Sequence, residues 1–303
     1  MIFVGLMIIE YVENYLGIDR DDIIHFSNIA PKTYKKYHVD KKNGGKRIIY
    51  QPSKETKALQ YAIIDLLLKK IDVHDSAKAY IKGKKSPLKK NAQEHVNYPY
   101  TIRVDFKDFF PSIEPNDLLI KIRSRFGDVT NEEEAFLTNS LFIKENRKYF
   151  LTIGAPSSPM ISNIVMYNID EELEKYSTKN NGVYSRYSDD IYYSTREKRN
   201  RNEFLKFLGN YLQSIKTPKL TINEDKTIYM SKARRRKVAG IIITSDKKIS
   251  IGRDKKKEIK QLLYKNQQKK LEWEEVQKLN GYMAFLKDIE PEYHKILKKK
   301  YDY

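Results

Sequence analysis

The sequence predicts an α+β fold in which strands alternate with helices and the ends of the chain are helical. Three observations predict it. Two β-branched, aromatic segments carry acids, Tyr100-Thr101-Ile102-Arg103-Val104-Asp105 and Tyr184 to Ser194, and they lie about 85 residues apart with helical stretches between them. Leu59, Ala62, Ile63, Leu66 and Leu67 repeat at the 3.6-residue period of an amphipathic helix. From Asp254 to Tyr303 the chain is Lys-rich, with apolar residues at helical spacing.

Taken in order, residues 1–40 read as helical, with a turn near Ala30-Pro31 and a buried start in the apolar run Met1 to Ile9. Lys41-Lys42-Asn43-Gly44-Gly45-Lys46-Arg47 reads as a hairpin turn because Asn-Gly accepts positive φ, and it feeds a strand over Arg47–Tyr50. Pro52 and Ser53 open a helix that runs through Lys70. The stretch 75–97, rich in Lys and Gly, reads as loop plus a short helix. Residues 115–147 read as two helices, opened by Pro115 and by Thr130-Asn131-Glu132-Glu133. Gly154-Ala155-Pro156-Ser157-Ser158-Pro159 is a tight loop before a helix from Met160 to Lys175. A hairpin about Asp189, a helix over 197–215 and a β-rich stretch from Leu220 to Thr244 follow, the last interrupted by Lys232–Lys237. Two terminal helices are expected, divided near Glu290-Pro291.

With 303 residues and 40% apolar content the chain can bury a sizeable core. Its 58 Lys and Arg outnumber 40 Asp and Glu, a net charge of +18 that suits a polyanionic partner bound in a salt-sensitive way. Twenty-three Tyr add polar-tipped aromatic surface for stacking. The absence of cysteine excludes disulfides and thiolate zinc sites, and the five histidines have no paired-ligand spacing. The opening apolar run is too short for a membrane span and lacks a signal-peptide pattern, so a cytoplasmic protein without membrane contact is expected.

Candidate chemistry centres on Tyr187-Ser188-Asp189-Asp190. Neighbouring side chains on a strand point to opposite faces, so adjacent acids reach one site only where the chain bends. Two acids at a tight turn between apolar strands suit divalent metal binding for nucleotidyl transfer. Asp105 is the third acid. It ends an apolar strand whose Ile102 and Val104 share one face while Arg103 and Asp105 share the other. Asp108, in the turn beyond, is the competing choice. Three carboxylates with backbone oxygen and substrate phosphates can hold two Mg²⁺ ions about 3.5–4 Å apart, with Mn²⁺ as a substitute.

In order and spacing these segments resemble the successive motifs of a reverse transcriptase. Asp105-Phe106-Lys107-Asp108-Phe109-Phe110-Pro111-Ser112-Ile113 is similar to motif A, Gly154 to Pro159 to motif B, and Tyr187 to Asp190 to motif C. Asn223-Glu224-Asp225-Lys226-Thr227 resembles motif D, and Val238-Ala239-Gly240-Ile241 the primer-grip motif E. Asn91-Ala92-Gln93-Glu94-His95 matches the NAxxH element of retron enzymes. Val238-Ala239-Gly240 stands where that family has Val-Thr-Gly, and Ser188 where its tetrad has Ala.

The resemblance implies a right-hand polymerase with fingers, palm (antiparallel sheet plus helices) and a helical thumb. Residues 1–98 would form the first part of the fingers, 99–112 the first part of the palm, and 113–149 a helical insertion. Residues 150–243 would complete the palm and primer grip, and 244–303 the thumb. Asp105, Asp189 and Asp190 would bind Mg²⁺, with the Phe106 carbonyl as an extra ligand. Lys226 would assist the leaving pyrophosphate, with Asn223 ordering its turn. Phe110 would clash with a 2′-hydroxyl and so select deoxynucleotides. Lys46 and Arg47 would hold the triphosphate. Gly154, Ala155, Pro156 and Ser157 would let backbone approach the template–primer pair. Asn91, His95, Arg234, Arg235, Arg236, Val238 and Gly240 would face nucleic acid, with a structural role for His95 left open. Lys-rich runs at Lys255, Lys269 and Lys298 would line the duplex path.

As a family, retron enzymes bind their own structured noncoding RNA and begin DNA synthesis from a guanosine 2′-hydroxyl in it. They use dNTPs, pass through an RNA–DNA hybrid, and make RNA-linked single-stranded DNA (msDNA). The resemblance therefore implies an effector protein in antiphage defence, and a host RNase H for template removal. The rival readings are another prokaryotic defence reverse transcriptase with protein-primed or untemplated synthesis, an RNA-binding scaffold or antitoxin, and an RNA-dependent RNA polymerase.

Overall fold

The computed structural model describes residues 7–40, 44–81, 83 and 86–303. The chain begins with α1 (Ile8–Leu16), α2 (Arg20–Ile29), a 3₁₀ turn (Ala30–Lys32), β1 (Tyr34–Asp40), β2 (Lys46–Pro52) and α3 (Lys54–Leu66). α4 (Pro87–Glu94), β3 (Tyr100–Lys107), α5 (Pro115–Phe126), α6 (Asn131–Leu141), β4 (Ile143–Glu145) and β5 (Lys148–Phe150) follow. Next come α7 (Ser158–Val165), α8 (Tyr167–Lys179), β6 (Val183–Tyr187), β7 (Asp190–Thr195) and α9 (Asn200–Ser214). The chain closes with β8 (Thr221–Ser231), β9 (Arg236–Val238), β10 (Ile241–Ile243), β11 (Ile249–Ser250), α10 (Arg253–Gln267), α11 (Trp273–Ile289) and α12 (Pro291–Tyr301). Mixed helices and antiparallel strands give the expected α+β class. No helix among the described residues is long and apolar enough to cross a membrane.

Two compact units share the chain. The first gathers Met1–Tyr80, Asp105–Leu173 and Lys206–Glu224, and the second Ile81–Val104, Glu174–Leu205 and Asp225–Tyr303. In the first, helices are set by local caps. Ser53 accepts from Thr56 N at 3.2 Å and starts α3. Glu114 with Asp117 and Thr130 with Glu133 form capping boxes at α5 and α6. Glu133 also accepts from Ile8 N at 3.2 Å, so one carboxylate ties the start of α1 to α6.

The second unit holds a three-stranded sheet of order β11-β10-β9, and β6 and β7 of a four-stranded sheet of order β6-β7-β3-β8. Its core joins Tyr192, Met230, Val238, Ile241 and Ile243 to Ile259, Leu263, Leu279, Met283 and Leu286 from α10 and α11. Their burial is the main stabilising contribution, at about 25 cal/mol per Å² of apolar surface. Glu290, before α12, accepts from Ser250 Oγ at 2.9 Å and Ile251 N at 2.8 Å, fixing the turn into the helices.

Several expectations need correction. Residues 34–40 form β1, not helix, because Tyr34, Tyr37 and Val39 favour a pleated surface and the whole segment pairs with β2 from Tyr34↔Pro52 to Asp40↔Lys46. The expected Asn-Gly turn includes residues 41–43, which lie outside the described residues, as does most of the Met1 to Ile9 run. The helical reading of 115–147 ends early. Asn146 and Arg147, both at positive φ (48° and 65°), make the two-residue turn of hairpin β4–β5. Met166, at φ −73° and ψ −8°, divides the expected single helix into α7 and α8. The C-terminal segment holds three helices, because left-handed Lys269 (φ 56°) ends one and a Glu272–Glu275 capping box starts the next. Its first strand, β11, pairs with β10, so this sheet runs past residue 243.

Candidate active site

The Asp189-Asp190 pair owes its position to a hairpin that is buried almost throughout. β6 and β7 pair from Val183↔Ser194 to Tyr187↔Asp190, which leaves Ser188 and Asp189 as a two-residue turn. Ile191 through Thr195 are all buried. Ser188 is left-handed at φ 62°, a strained conformation for a residue with a side chain. Its carbonyl accepts from Arg186 Nη1 at 3.0 Å, and Arg186 is fully buried. A charged donor inside the hairpin thus fastens the turn. Both acids remain partly exposed at its tip.

Tyr192 and Arg103 stand beside Asp190. Tyr192 Oη donates to one carboxylate oxygen at 3.1 Å, and Arg103 Nε lies 3.2 Å from the other. The Arg103 contact is electrostatic, since its Nε–H is not aimed at the oxygen. Burial, and then the Asp190 charge, push the Tyr192 phenol well above its ordinary pKa, so it stays a donor.

Asp105 is the sixth residue of β3, and the sheet order sets β3 beside β7. The strand continues to Lys107, so Asp105 lies within it rather than ending it, and it is 5% exposed. Asp108 follows the strand in a left-handed conformation (φ 43°), and its carbonyl accepts from Ser112 N at 2.8 Å. Phe106 is buried and stacks on Phe109 at 5.9 Å. Phe110 is half-buried, with its ring 5.6 Å from that of Phe109. Among the described residues no group of three or more His, Asp or Glu side chains is assembled to hold a metal ion.

The Gly154 loop is held by β2. Tyr50 N donates to Ile153 O at 2.8 Å, and a Cβ on Gly154 would stand 2.5 Å from Tyr50 O. With φ at 117° as well, only glycine fits there. Ala155 and Ser157 are buried and Pro156 is half-buried. Lys46 and Arg47 are exposed at the start of β2.

The expected nucleic-acid residues divide into buried and exposed groups. His95 is fully buried, with Nδ1 2.8 Å from Ser194 Oγ and Nε2 2.8 Å from Ser185 Oγ, so one ring joins both strands of the hairpin. Asn91 and Val238 are fully buried as well, Val238 in the core behind Tyr192. Arg236, expected in an exposed basic run, lies inward at 2% exposure. Its guanidinium donates to Tyr98 O and to Thr244 O, which accounts for its burial. Arg234 and Arg235 are exposed, Arg235 paired with Asp254 at 3.3 Å. Gly240 turns at φ 90° between β9 and β10. Asn223 and Lys226 stand within β8 rather than at a turn, with Lys226 exposed.

The sequence profile described as "Reverse transcriptase (RNA-dependent DNA polymerase)" matches residues 39–264. The chain is 36% identical over 279 residues to the Retron Ec83 reverse transcriptase of Escherichia coli, covering 88% of this chain and 86% of that protein. This chain belongs to the retron-type reverse transcriptases. The Retron Ec73 enzyme of Escherichia coli is 33% identical over 284 residues, covering 90% of this chain and 88% of its own length. Among solved structures, apo telomerase from Candida Tropicalis superposes with a TM-score of 0.49 at 14% identity, covering 76% of this chain and 50% of that one.

As a reverse transcriptase the chain is an RNA-directed DNA polymerase. Three residues that build its acid turn escape motif reading: Arg186, Arg103 and Tyr192. Arg186 and Arg103 carried a signal, each a cation within an apolar strand segment, where burial demands a compensating acceptor or acid.

Proposed function

We propose that this reverse transcriptase copies its own structured noncoding RNA into RNA-linked single-stranded DNA by two-Mg²⁺ nucleotidyl transfer, in the service of antiphage defence. The observation that carries the reading is the two-residue Ser188-Asp189 turn, fastened by buried Arg186 and presenting Asp189 and Asp190 on the strand next to β3. The donor set fits a hard divalent cation, because Asp105, Asp189, Asp190 and the Phe106 carbonyl offer oxygen alone. The Arg103 guanidinium beside Asp190 would have to yield that carboxylate oxygen to a metal ion. Bound Mg²⁺ would acidify the primer hydroxyl and neutralise the triphosphate.

The chain's own groups supply the rest. Asp105, Asp189 and Asp190 fix where positive charge sits, and Tyr192 orients Asp190 through its hydroxyl. Lys46 and Arg47 bind the triphosphate, Phe110 lies under the sugar, and Lys226 offers positive charge to the departing pyrophosphate. In this reading 1–98 serve as the first part of the fingers, 113–149 as a helical insertion of fingers and palm, 99–112 and 150–243 as palm and primer grip, and 244–303 as thumb. Gly154 to Ser157 shape the backbone beside the template. Arg234 and Arg235 contact RNA phosphates, and an effector protein and a host RNase H complete the pathway.

Sequencing the nucleic acid that co-purifies with the protein tests this reading. A branched RNA–DNA species carrying a 2′-linked DNA is the expected result. DNA linked to protein, or random cellular RNA without DNA, would contradict it.

A further inference from the structure

Arg103 is a cation for which the proposed chemistry has no task. It stands on β3 between Ile102 and Val104, both fully buried, and β3 is an inner strand of the four-stranded sheet, so its backbone is fixed. Arg103, Asp190 and Tyr192 all belong to the second unit.

The two oxygens of Asp190 are held unequally. Oδ2 accepts from Tyr192 Oη at 3.1 Å, and that residue is 2% exposed, its ring edge-on to His95 with centroids 6.3 Å apart. A donor packed in this way moves only if the core around it opens. Oδ1 faces Arg103 Nε at 3.2 Å, yet the N–H is not aimed at it and Nε has no hydrogen-bond partner. Directed guanidinium–carboxylate pairs use parallel N–H groups of the fork, which supply strength and orientation together. Here charge alone draws the groups together, and the Arg103 side chain keeps 28% of its surface in water. The guanidinium is therefore the member that can withdraw, and Tyr192 is the member that stays.

We propose that Arg103 is a positioning residue, a resident counter-cation at Asp190 Oδ1 that gives up this oxygen when a divalent cation binds. The inference rests on the two-metal reading of the acid turn above. Like charges at one carboxylate repel, so the guanidinium and a metal ion compete for Oδ1. The Tyr192 hydrogen bond keeps the carboxylate in one orientation through the exchange. Until then Arg103 spares a partly buried carboxylate an uncompensated charge. The competition also keeps divalent-cation binding weak until substrate phosphates add oxygen ligands, as Mg²⁺ sites with few carboxylates require. Loading of the turn is thereby tied to arrival of the triphosphate.

Mn²⁺ titration followed by electron paramagnetic resonance, on the full chain without nucleotide or primer–template, reads this competition. Arg103→Met keeps an apolar stem and removes the charge, and it should tighten Mn²⁺ binding about fivefold or more. Arg103→Lys should stay within about twofold of wild type, because a contact made by charge alone does not need the fork. Unchanged or weaker Mn²⁺ binding by Arg103→Met would overturn the proposal, since removing a purely structural brace leaves the site no better at holding metal. A measurement on wild-type protein covers the case in which Arg103→Met does not fold. In ¹⁵N-arginine-labelled protein the Arg103 Nε–H resonance, assigned by its absence in Arg103→Lys, should be protected from solvent exchange and lose that protection on adding Mg²⁺. A resonance indifferent to Mg²⁺ would refute the exchange. Asp189→Asn with Asp190→Asn separates the two readings. Mn²⁺ binding equal to wild type in that variant removes the metal site itself and the proposal with it. Loss of binding there, with no gain in Arg103→Met, removes only the role of Arg103.

Discussion

Hairpins β1–β2 and β6–β7 both carry charge near their tips, but they are built in opposite ways. In β1–β2 every residue of the first strand except half-buried Tyr34 is exposed, and the second strand opens on exposed Lys46 and Arg47 beside Gly44 and Gly45, both at positive φ. In β6–β7 the strands are buried, a guanidinium fastens the turn from within, and His95 joins both strands. The difference follows the chemistry proposed for each tip. Carboxylates that position metal tolerate little displacement, so they are placed on a packed frame. Cations that receive an incoming triphosphate act at longer range and tolerate a solvated arm.

The largest effect should come from the acid tip. Asp189→Asn with Asp190→Asn should lower DNA synthesis by on the order of 10³-fold or more, because several kcal/mol of charge stabilisation would go. Primer extension measures this, and RNA binding by filter retention should stay near wild type. Next, Arg186→Met should destabilise the protein by about 2–4 kcal/mol in urea unfolding, because it leaves the Ser188 carbonyl unsatisfied and the turn unsupported. A loss under about 0.5 kcal/mol would mean that the turn holds itself. The exposed hairpin should behave in the opposite sense. Arg47→Ala should raise the KM for dNTP about tenfold, as loss of a charge-assisted contact predicts. Its unfolding free energy should change by less than about 0.5 kcal/mol, as for other surface sites.

Tyr193→Phe should have the smallest effect at neutral pH and a distinct one in alkali. The folded phenol titrates at about 12 while the unfolded one titrates near its ordinary value of 10. Its contribution is therefore fully present below pH 10 and is lost between pH 10 and 12, at a slope of at most about 1.4 kcal/mol per pH unit. Removing the hydroxyl should flatten that part of the stability curve. An unchanged alkaline slope would show that another group titrates there.

Much of the acid site was legible because it depends on local patterns. Alternation placed Asp105 on a strand, the Tyr–Ser–Asp–Asp run marked a turn, and Pro115, Thr130 and Ser53 announced their helices. What escaped depends on partners distant in sequence. Arg236 reads as one more cation in a basic run, and only the carbonyls of Tyr98 and Thr244 make its burial possible. His95 belongs to a recognisable motif, yet its position between Ser185 and Ser194 is decided about 90 residues further along. β1 was obscured because the Lys35-Lys36 pair interrupts its alternation, a pattern available to an exposed strand held by pairing.

Mn²⁺ binding followed by electron paramagnetic resonance tests the central claim most directly, because it reads the acids without requiring turnover. With dNTP and an annealed primer–template present, wild-type protein should bind two Mn²⁺ per chain, the number expected of a two-metal site. Asp189→Asn with Asp190→Asn should lose that binding while Arg47→Ala keeps it. Equal Mn²⁺ binding by the double variant and the wild type would contradict the assignment of the Ser188-Asp189 turn as the metal-holding element.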